Sequence, residues 1–182
     1  MTTADDDTEL VARCLAGDTG AFDVLVTRHR RQVYQVCYRF AGNHEDASDL
    51  AQDAFLRAYR ALGTFKGRSA FSTWLYRVAV NVCLNRKAVK QLPTEPIERR
   101  EFAGRGDEAA DRLVIRQENA AAVRAAISQL PKKQRATMIL RMYQELPHEE
   151  IAAILGSSVG AVKANFFHAL ANLKRLLREP KP

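Results

Sequence analysis

Hydrophobic residues recur along most of the chain at spacings of three and four, which is the pattern of amphipathic helices. A stripe over residues 21–40 predicts one long helix that is ended by Gly42 and Asn43. The stretches 44–62 and 72–90 predict two more helices, with Asn43 as the N-cap of the first. Because strand-like alternation is scarce, the sequence predicts an all-α fold.

The same pattern continues in the second half of the chain. It predicts a helix over 112–129, another that begins at Pro131, and a pair of helices within 147–177. Gly156 ends the first helix of the pair and a serine of 157–158 caps the second, which together predict a helix-turn-helix. Predicted inward positions are Met138, Ile139, Met142, Val159, Val162, Phe166, Leu173 and Leu177.

One stretch interrupts the helical pattern. Residues 92–111, "LPTEPIERREFAGRGDEAAD", contain two prolines, two glycines and closely spaced charges of both signs, a composition typical of a flexible linker. We therefore expect two small helical domains, residues 1–91 and 112–182, joined by this linker. A total of 182 residues, 47% of them hydrophobic, is enough for two small cores.

Charge adds a functional indication to this outline. The net charge is +7, and from Arg57 to Lys90 there are eight lysines and arginines but no aspartate or glutamate. Aromatic residues lie between these cations, in greater number than a small core is expected to need: Tyr59, Phe65, Phe71, Trp74 and Tyr76. Proteins that bind single-stranded nucleic acid typically combine cationic side chains, which contact the phosphates, with aromatic rings, which stack on the bases. In the alternative, Phe71, Trp74 and Tyr76 are core residues and the cations are solvated.

Several classes of function find no support in the sequence. There is no glycine-rich phosphate loop, no metal-ligand cluster and no pairing of a nucleophile with a base, so we expect no catalysis, cofactor or metal. Cys14, Cys37 and Cys83 form no CxxC pair and are expected to be reduced thiols. An acidic N-terminus and the lack of a run of roughly 20 apolar residues favour a cytoplasmic protein.

Two stretches resemble one family. "NHEDASDLAQDAFLRAYRALGTFKGRSAFSTWLYRVAVNVCLNRKA", residues 43–88, resembles region 2 of the bacterial sigma-70 family. "LPKKQRATMILRMYQELPHEEIAAILGSSVGAVKANFFHALANLKRLL", residues 130–177, resembles region 4. No region 3 fits between them, as in the extracytoplasmic-function (group IV) sigma factors. The resemblance implies a subunit that binds core RNA polymerase, recognises the −10 and −35 promoter elements and melts the promoter.

The resemblance also implies roles for individual residues in region 2. The helix "EDASDLAQDAF" would dock on the clamp helices of the polymerase β′ subunit through Asp46, Asp49, Leu50, Gln52, Asp53 and Phe55. The loop and the next helix would bind the −10 element, capturing a flipped base and the duplex upstream of it. The implied −10 contacts are Lys66, Arg68, Ser69, Phe71, Thr73, Trp74, Arg77, Asn81, Asn85, Arg86 and Lys87. Family members often have an aspartate where this chain has Asn85.

In region 4 the resemblance implies a helix in the major groove at the −35 element, with contacts from Ser158, Lys163, Ala164, Asn165, Phe167 and His168. The family pattern commonly has arginines after the lysine, whereas this chain has Ala164 and Asn165, which predicts a weaker or unusual −35 contribution. Phe167 either touches a thymine methyl group or packs against a neighbouring helix or an inhibitor.

The implied partners are core polymerase, contacted at the β′ clamp helices and the β flap, promoter DNA in duplex and single-stranded form, and an anti-sigma factor. Membrane insertion is not expected. Three rival classes of function are a metal-dependent nuclease, a dimeric helix-turn-helix regulator, and a polymerase-binding adaptor without DNA contacts. The basic, ring-rich stretch 57–90 argues against the regulator and the adaptor, since neither needs a surface for unpaired bases.

Overall fold

The computed structural model describes residues 6–86 and 120–178, and all regular elements in these ranges are helices. The predicted all-α fold is therefore confirmed. The predicted linker, residues 92–111, lies outside the described residues, as does Lys87. None of the described helices is both long enough and apolar enough to cross a bilayer.

Four α-helices and one short 3-10 helix make up the first part of the molecule. They are α1 (Asp7–Leu15), α2 (Thr19–Ala41), α3 (His44–Ala61), the 3-10 turn Leu62–Thr64, and α4 (Phe71–Asn85). The long helix predicted over 21–40 is α2, whereas α1 is an additional helix that the hydrophobic stripes did not predict. Asp6 caps α1 by accepting hydrogen bonds from the backbone N–H groups of Thr8 and Glu9.

The turn between α2 and α3 forms as the sequence predicts. Gly42 adopts a φ of 82° at the end of α2, a left-handed conformation that favours glycine, and its N–H donates to the carbonyl of Tyr38 at 2.8 Å. The side-chain oxygen of Asn43 accepts from the N–H of Asp46, also at 2.8 Å, and so caps α3. This tight turn aligns α3 against α2.

The four helices enclose one apolar core. Leu10 of α1, Leu25 and Val33 of α2, Ala54 of α3 and Leu75 of α4 are at most 1% exposed. Their close packing fixes α3 and α4 side by side. The polar side of each of these two helices lies outside this core.

The second part of the molecule comprises α5, described over residues 120–128, α6 (Lys132–Tyr143), α7 (His148–Leu155) and α8 (Val159–Arg178). Gly156 has a φ of 58° and ends α7, as predicted. The hydroxyl of Ser158 accepts from the N–H of Ala161 at 3.2 Å, so Ser158 is the serine that caps α8. The predicted helix-turn-helix is thus α7, the turn at Gly156, and α8.

Two of the predicted inward positions are wrong. Met142 is 55% exposed and Leu177 is 47% exposed, because in the last turns of α6 and α8 the adjacent residues Tyr143 and Leu176 pack against the core instead. Val162 and Leu173 are buried as predicted, and Phe166 is half-buried beside the imidazole ring of His148.

The second core is shared between the two parts of the chain. Val36 and Phe40 of α2 and Tyr76 and Val80 of α4 are at most 9% exposed and lie in one cluster with the buried side chains of α5–α8. These four residues belong to the first predicted domain, yet they complete the core of the second. The two parts are therefore packed against each other in this structure.

Candidate polymerase and promoter contact surfaces

The predicted −10 loop rests on a cluster of aromatic rings. The centroids of the Phe65, Phe71 and Trp74 rings lie 5.5 to 5.8 Å apart, a spacing at which aromatic pairs attract one another. Phe65 and Phe71 are 8% and 4% exposed, whereas Trp74 is half-buried. Of these three side chains, Trp74 therefore has the most surface available to a DNA base.

The expectation that these rings exceed the needs of the core is wrong for Phe65, Phe71 and Tyr76, which are all buried. Tyr59 is 46% exposed and packs edge-on against Phe22. Sequence periodicity could not separate the buried rings of α4 from exposed ones, because α4 buries two faces, one in each core.

The loop itself presents its polar side chains to solvent. Lys66, Arg68 and Ser69 are all exposed, and the ammonium group of Lys66 donates to the carbonyl of Gly63 at 2.9 Å. Gly67 has a φ of 66°, which lets the backbone turn sharply between the two cations. The loop that precedes α4 and Trp74 thus presents two positive charges to solvent.

Three predicted −10 contacts share the outer face of α4. Arg77, Asn81 and Asn85 are four residues apart and all are exposed. Thr73 lies one turn earlier but is only 5% exposed, since its hydroxyl donates to Glu150 of α7 at 3.0 Å. The guanidinium group of Arg77 donates to the carbonyl of Ala153 in the same helix at 2.5 Å.

Arg86 connects the two predicted surfaces of region 2. Its guanidinium group donates to the carboxylate of Asp46 at 2.5 Å and to the backbone carbonyl of Asp46 at 3.2 Å. The pKa of Asp46 is lowered, chiefly by the hydrogen bond from the Asn43 amide and further by Arg86. Arg86 was predicted to hold a phosphate, but here it joins the start of α3 to the end of α4.

The predicted polymerase-docking helix has an acidic outer edge. Asp49 and Gln52 are exposed, and Asp53 pairs with Arg57 one turn later at 3.0 Å. Leu50 is 6% exposed and Phe55 is half-buried, so both pack in the first core and offer little surface to a partner. A groove of about 300 Å³ runs between this edge and α4. It is lined by Asp49, Leu50, Asp53, Arg57, Val82, Asn85 and Arg86.

The predicted −35 contacts lie along α8. Lys163, Ala164 and His168 are exposed, and Asn165 is half-buried. Phe167 is 70% exposed, with its ring 5.8 Å from that of His168, so it packs against none of the other helices that the structure describes. Over residues 163–168, the exposed side of α8 thus offers one lysine, an imidazole and a large apolar ring.

Sequence reasoning missed the contacts between the two parts of the chain. Glu150 and Arg135 carry these contacts, together with the apolar residues of the shared core. Their one signal in the sequence was the second apolar face of α2 and α4, which includes Val36 and Val80. From the sequence alone, this second apolar face cannot be distinguished from the face that a helix turns toward the core of its own domain.

The cysteines form no disulfide. The sulfur atoms of Cys37 and Cys83 are 3.9 Å apart, and this hydrogen-bonded contact together with burial raises the pKa of the Cys83 thiol. Within residues 6–86 and 120–178, no group of three histidine, cysteine or acidic side chains is arranged to hold a metal ion.

Comparison with known families decides the identity of the chain. Residues 25–91 match the family model "Sigma-70 region 2" and residues 120–173 match "Sigma-70, region 4". The RNA polymerase sigma-H factor of Pseudomonas aeruginosa is 36% identical over 98% of this chain and 97% of its own. The ECF RNA polymerase sigma factor SigM of Mycobacterium tuberculosis is 40% identical over 94% of this chain and 84% of its own. The chain belongs to the extracytoplasmic-function sigma factors of the sigma-70 family.

A solved structure supports the same conclusion. CnrH, solved in complex with the cytosolic domain of CnrY, superposes with a TM-score of 0.65 and 28% identity, over 95% of this chain and 97% of that one. The chain described here therefore serves in transcription initiation. It is the subunit that directs RNA polymerase to begin at promoters. The two matched regions contain the predicted −10 and −35 contacts that the structure describes.

Proposed function

We propose that this sigma factor divides promoter recognition between two modules, residues 1–91 for the −10 element and 112–182 for the −35 element, joined by the linker 92–111. The observation that carries the proposal is the surface formed by Lys66, Arg68, Trp74 and the exposed face of α4. It combines cations, a partly accessible ring and amide side chains. These groups suit phosphates, an unpaired base and base edges respectively.

Melting in this proposal needs no covalent chemistry. The −10 surface binds the unpaired non-template strand better than duplex, and this differential affinity shifts the equilibrium toward the open state. The chain itself therefore acts as a recognition subunit and not as an enzyme. It works where core polymerase works, in the cytoplasm.

Docking on polymerase is assigned to the acidic edge of α3. Asp49 and Gln52 are exposed there, and the carboxylates of Asp46 and Asp53 line the same edge. The clamp helices of β′ are the proposed partner of this edge, and the β flap is the proposed partner of region 4. Leu50 and Phe55 support the edge from beneath.

At the −35 element, α8 supplies Lys163 for a phosphate, Asn165 and His168 for base edges, and Phe167 for a thymine methyl group. The exposed ring of Phe167 supports the DNA role over packing within the chain. An anti-sigma factor is the other proposed occupant of these surfaces, and the complex of CnrH with the cytosolic domain of CnrY supports a protein partner of this kind.

Permanganate footprinting of unpaired thymines tests the −10 assignment. Holoenzyme containing the Lys66→Ala/Arg68→Ala variant should give weaker reactivity at the −10 element while it still protects the −35 element. A matched control is Arg30→Ala/Arg31→Ala, which removes the same charge from exposed positions on α2. Equal loss in both double variants would show that only total charge matters and would reject the assignment.

A further inference from the structure

Helix α1 lies before the matched sigma-70 region 2, which begins at residue 25. One side chain of α2, His29, nevertheless connects α1 to the proposed −10 surface. The imidazole Nε2 of His29 lies 2.7 Å from a carboxylate oxygen of Asp7, and its ring centroid lies 5.4 Å from that of Phe71. His29 therefore contacts both the first residue of α1 and the aromatic cluster beneath the −10 loop.

Asp7 fixes the orientation of this imidazole ring. A carboxylate can only accept hydrogen bonds, so Nε2 of His29 carries the hydrogen and donates it. The other carboxylate oxygen of Asp7 accepts from the guanidinium group of Arg28 at 2.5 Å. The side chains of His29 and Asp7 are only 12% and 22% exposed. Rotation of the imidazole ring would break a bond that is largely sheltered from water, and would therefore be costly.

The imidazole ring in turn packs against Phe71. The two ring planes are inclined by 56°, at a spacing at which aromatic rings attract one another. Phe71 is 4% exposed and lies 5.6 Å from the half-buried ring of Trp74. Loss of the imidazole would leave a space beside Phe71, into which the Phe71 and Trp74 rings could shift.

A histidine at this position does more than fill space. An apolar ring could pack against Phe71 without the cost of removing polar nitrogen atoms from water. A satisfied hydrogen bond instead holds one orientation of the ring, as buried polar networks do. A side chain that is held in place before DNA arrives does not have to be ordered on binding, which preserves affinity.

We propose that His29 is a positioning residue of the −10 surface. Asp7 orients the imidazole ring, and the ring holds Phe71, and hence Trp74, in the place where Trp74 stacks on an unpaired base. Helix α1 thereby acts on −10 recognition through His29. The proposal rests on the −10 role assigned to Trp74.

Fluorescence of the free full-length chain tests the positioning without reference to DNA. Trp74 is the sole tryptophan of the sequence, so its emission reports on this ring without a label. In time-resolved anisotropy, Asp7→Ala should raise the amplitude of nanosecond motion of Trp74 by about twofold, as expected when a rigid group becomes flexible. Glu9→Ala is the matched control, since it also removes a carboxylate from the first turn of α1 but at an exposed position.

Two substitutions of His29 separate the hydrogen bond from the ring contact. His29→Ala removes both and should mobilise Trp74, whereas His29→Phe keeps a ring against Phe71 and should restore part of the restraint. In the His29→Phe background, Asp7→Ala should not mobilise Trp74 further, because Asp7 acts through the imidazole. If a His29 variant misfolds, the comparison of Asp7→Ala with Glu9→Ala still decides.

Two fluorescence results would overturn the proposal. One is a Trp74 ring that is as rigid in Asp7→Ala as in Glu9→Ala. The other is an undiminished effect of Asp7→Ala in the His29→Phe background, which would show that Asp7 acts only by fastening α1 to α2.

Permanganate footprinting with holoenzyme tests whether the positioning matters for promoter opening. Asp7→Ala should lower the reactivity of −10 thymines by about two- to tenfold, the cost of ordering one side chain on binding, while protection of the −35 element is unchanged. Loss of opening in Trp74→Ala but not in Asp7→Ala would overturn the positioning role alone. Full opening in Trp74→Ala would reject the −10 role of Trp74 itself, and the positioning role with it.

Discussion

The ion pair between Asp46 and Arg86 offers a quantitative test of how region 2 is held together. The two side chains are 22% and 29% exposed, and Arg86 makes two hydrogen bonds to Asp46, one to the carboxylate and one to the backbone carbonyl. Asp46 lies in the first turn of α3 and Arg86 directly follows α4. The pair therefore fixes the docking helix against the −10 helix.

Its contribution follows from this geometry. A charge-assisted hydrogen bond contributes about 1.5–3 kcal/mol when it is sheltered, and an exposed ion pair about 0–1 kcal/mol. Because both side chains are partly screened by solvent, we expect a coupling free energy between them of about 1–2 kcal/mol. Each single variant also loses one hydrogen bond outside the ion pair: Arg86→Ala loses the bond to the backbone carbonyl of Asp46, and Asp46→Ala loses the bond from the Asn43 amide, so only the double-mutant cycle isolates the coupling.

A double-mutant cycle of urea unfolding at neutral pH measures this coupling from Asp46→Ala, Arg86→Ala and the double variant. The folded pKa of Asp46 lies below its unfolded value of about 3.9. The contribution is therefore complete above that value and is lost as pH falls through the folded pKa. A coupling below about 0.3 kcal/mol at neutral pH, within the additivity expected of independent sites, would refute the structural role of Arg86.

Three further predictions concern the proposed surfaces. Trp74→Ala should reduce open-complex formation, measured by permanganate reactivity, more than closed-complex binding, and Trp74→Phe should retain part of the activity; equal loss of both steps would make Trp74 a core residue only. Asp49→Lys should weaken binding to core polymerase in fluorescence anisotropy by about tenfold, equivalent to about 1.4 kcal/mol. Asp23→Lys, at an exposed position on α2, should not. Lys163→Ala should reduce the slope of log affinity against log salt for −35 duplex by about 0.9, and an unchanged slope would remove Lys163 from the phosphate contacts.

Local signals in the sequence predicted the helix boundaries well. Gly42, Asn43 and Gly156 each act through their own backbone or through a partner within a few residues, so their roles can be read without the fold. The helix-turn-helix follows from such signals alone. The exposure of Lys66 and Arg68 could also be predicted, because charged loop residues rarely lose their hydration.

Contacts between distant parts of the chain could not be predicted in this way. Thr73 and Glu150 are 77 positions apart, and neither residue type signals a buried hydrogen bond. Phe71 and Tyr76 looked like surplus rings because the sequence does not show that α4 faces two cores. Arg86 looked like a phosphate ligand because nothing in its own segment indicates that Asp46, 40 positions earlier, lies beside it.

Transcription by reconstituted holoenzyme tests the central claim most directly. Purified chain and core polymerase are incubated with a genomic promoter library, and the start sites of the run-off products are mapped. We expect the chain to stimulate initiation at a defined set of promoters that share one sequence motif near −10 and a second near −35. Initiation that is no greater than with core polymerase alone, in the absence of any inhibitor, would contradict the account.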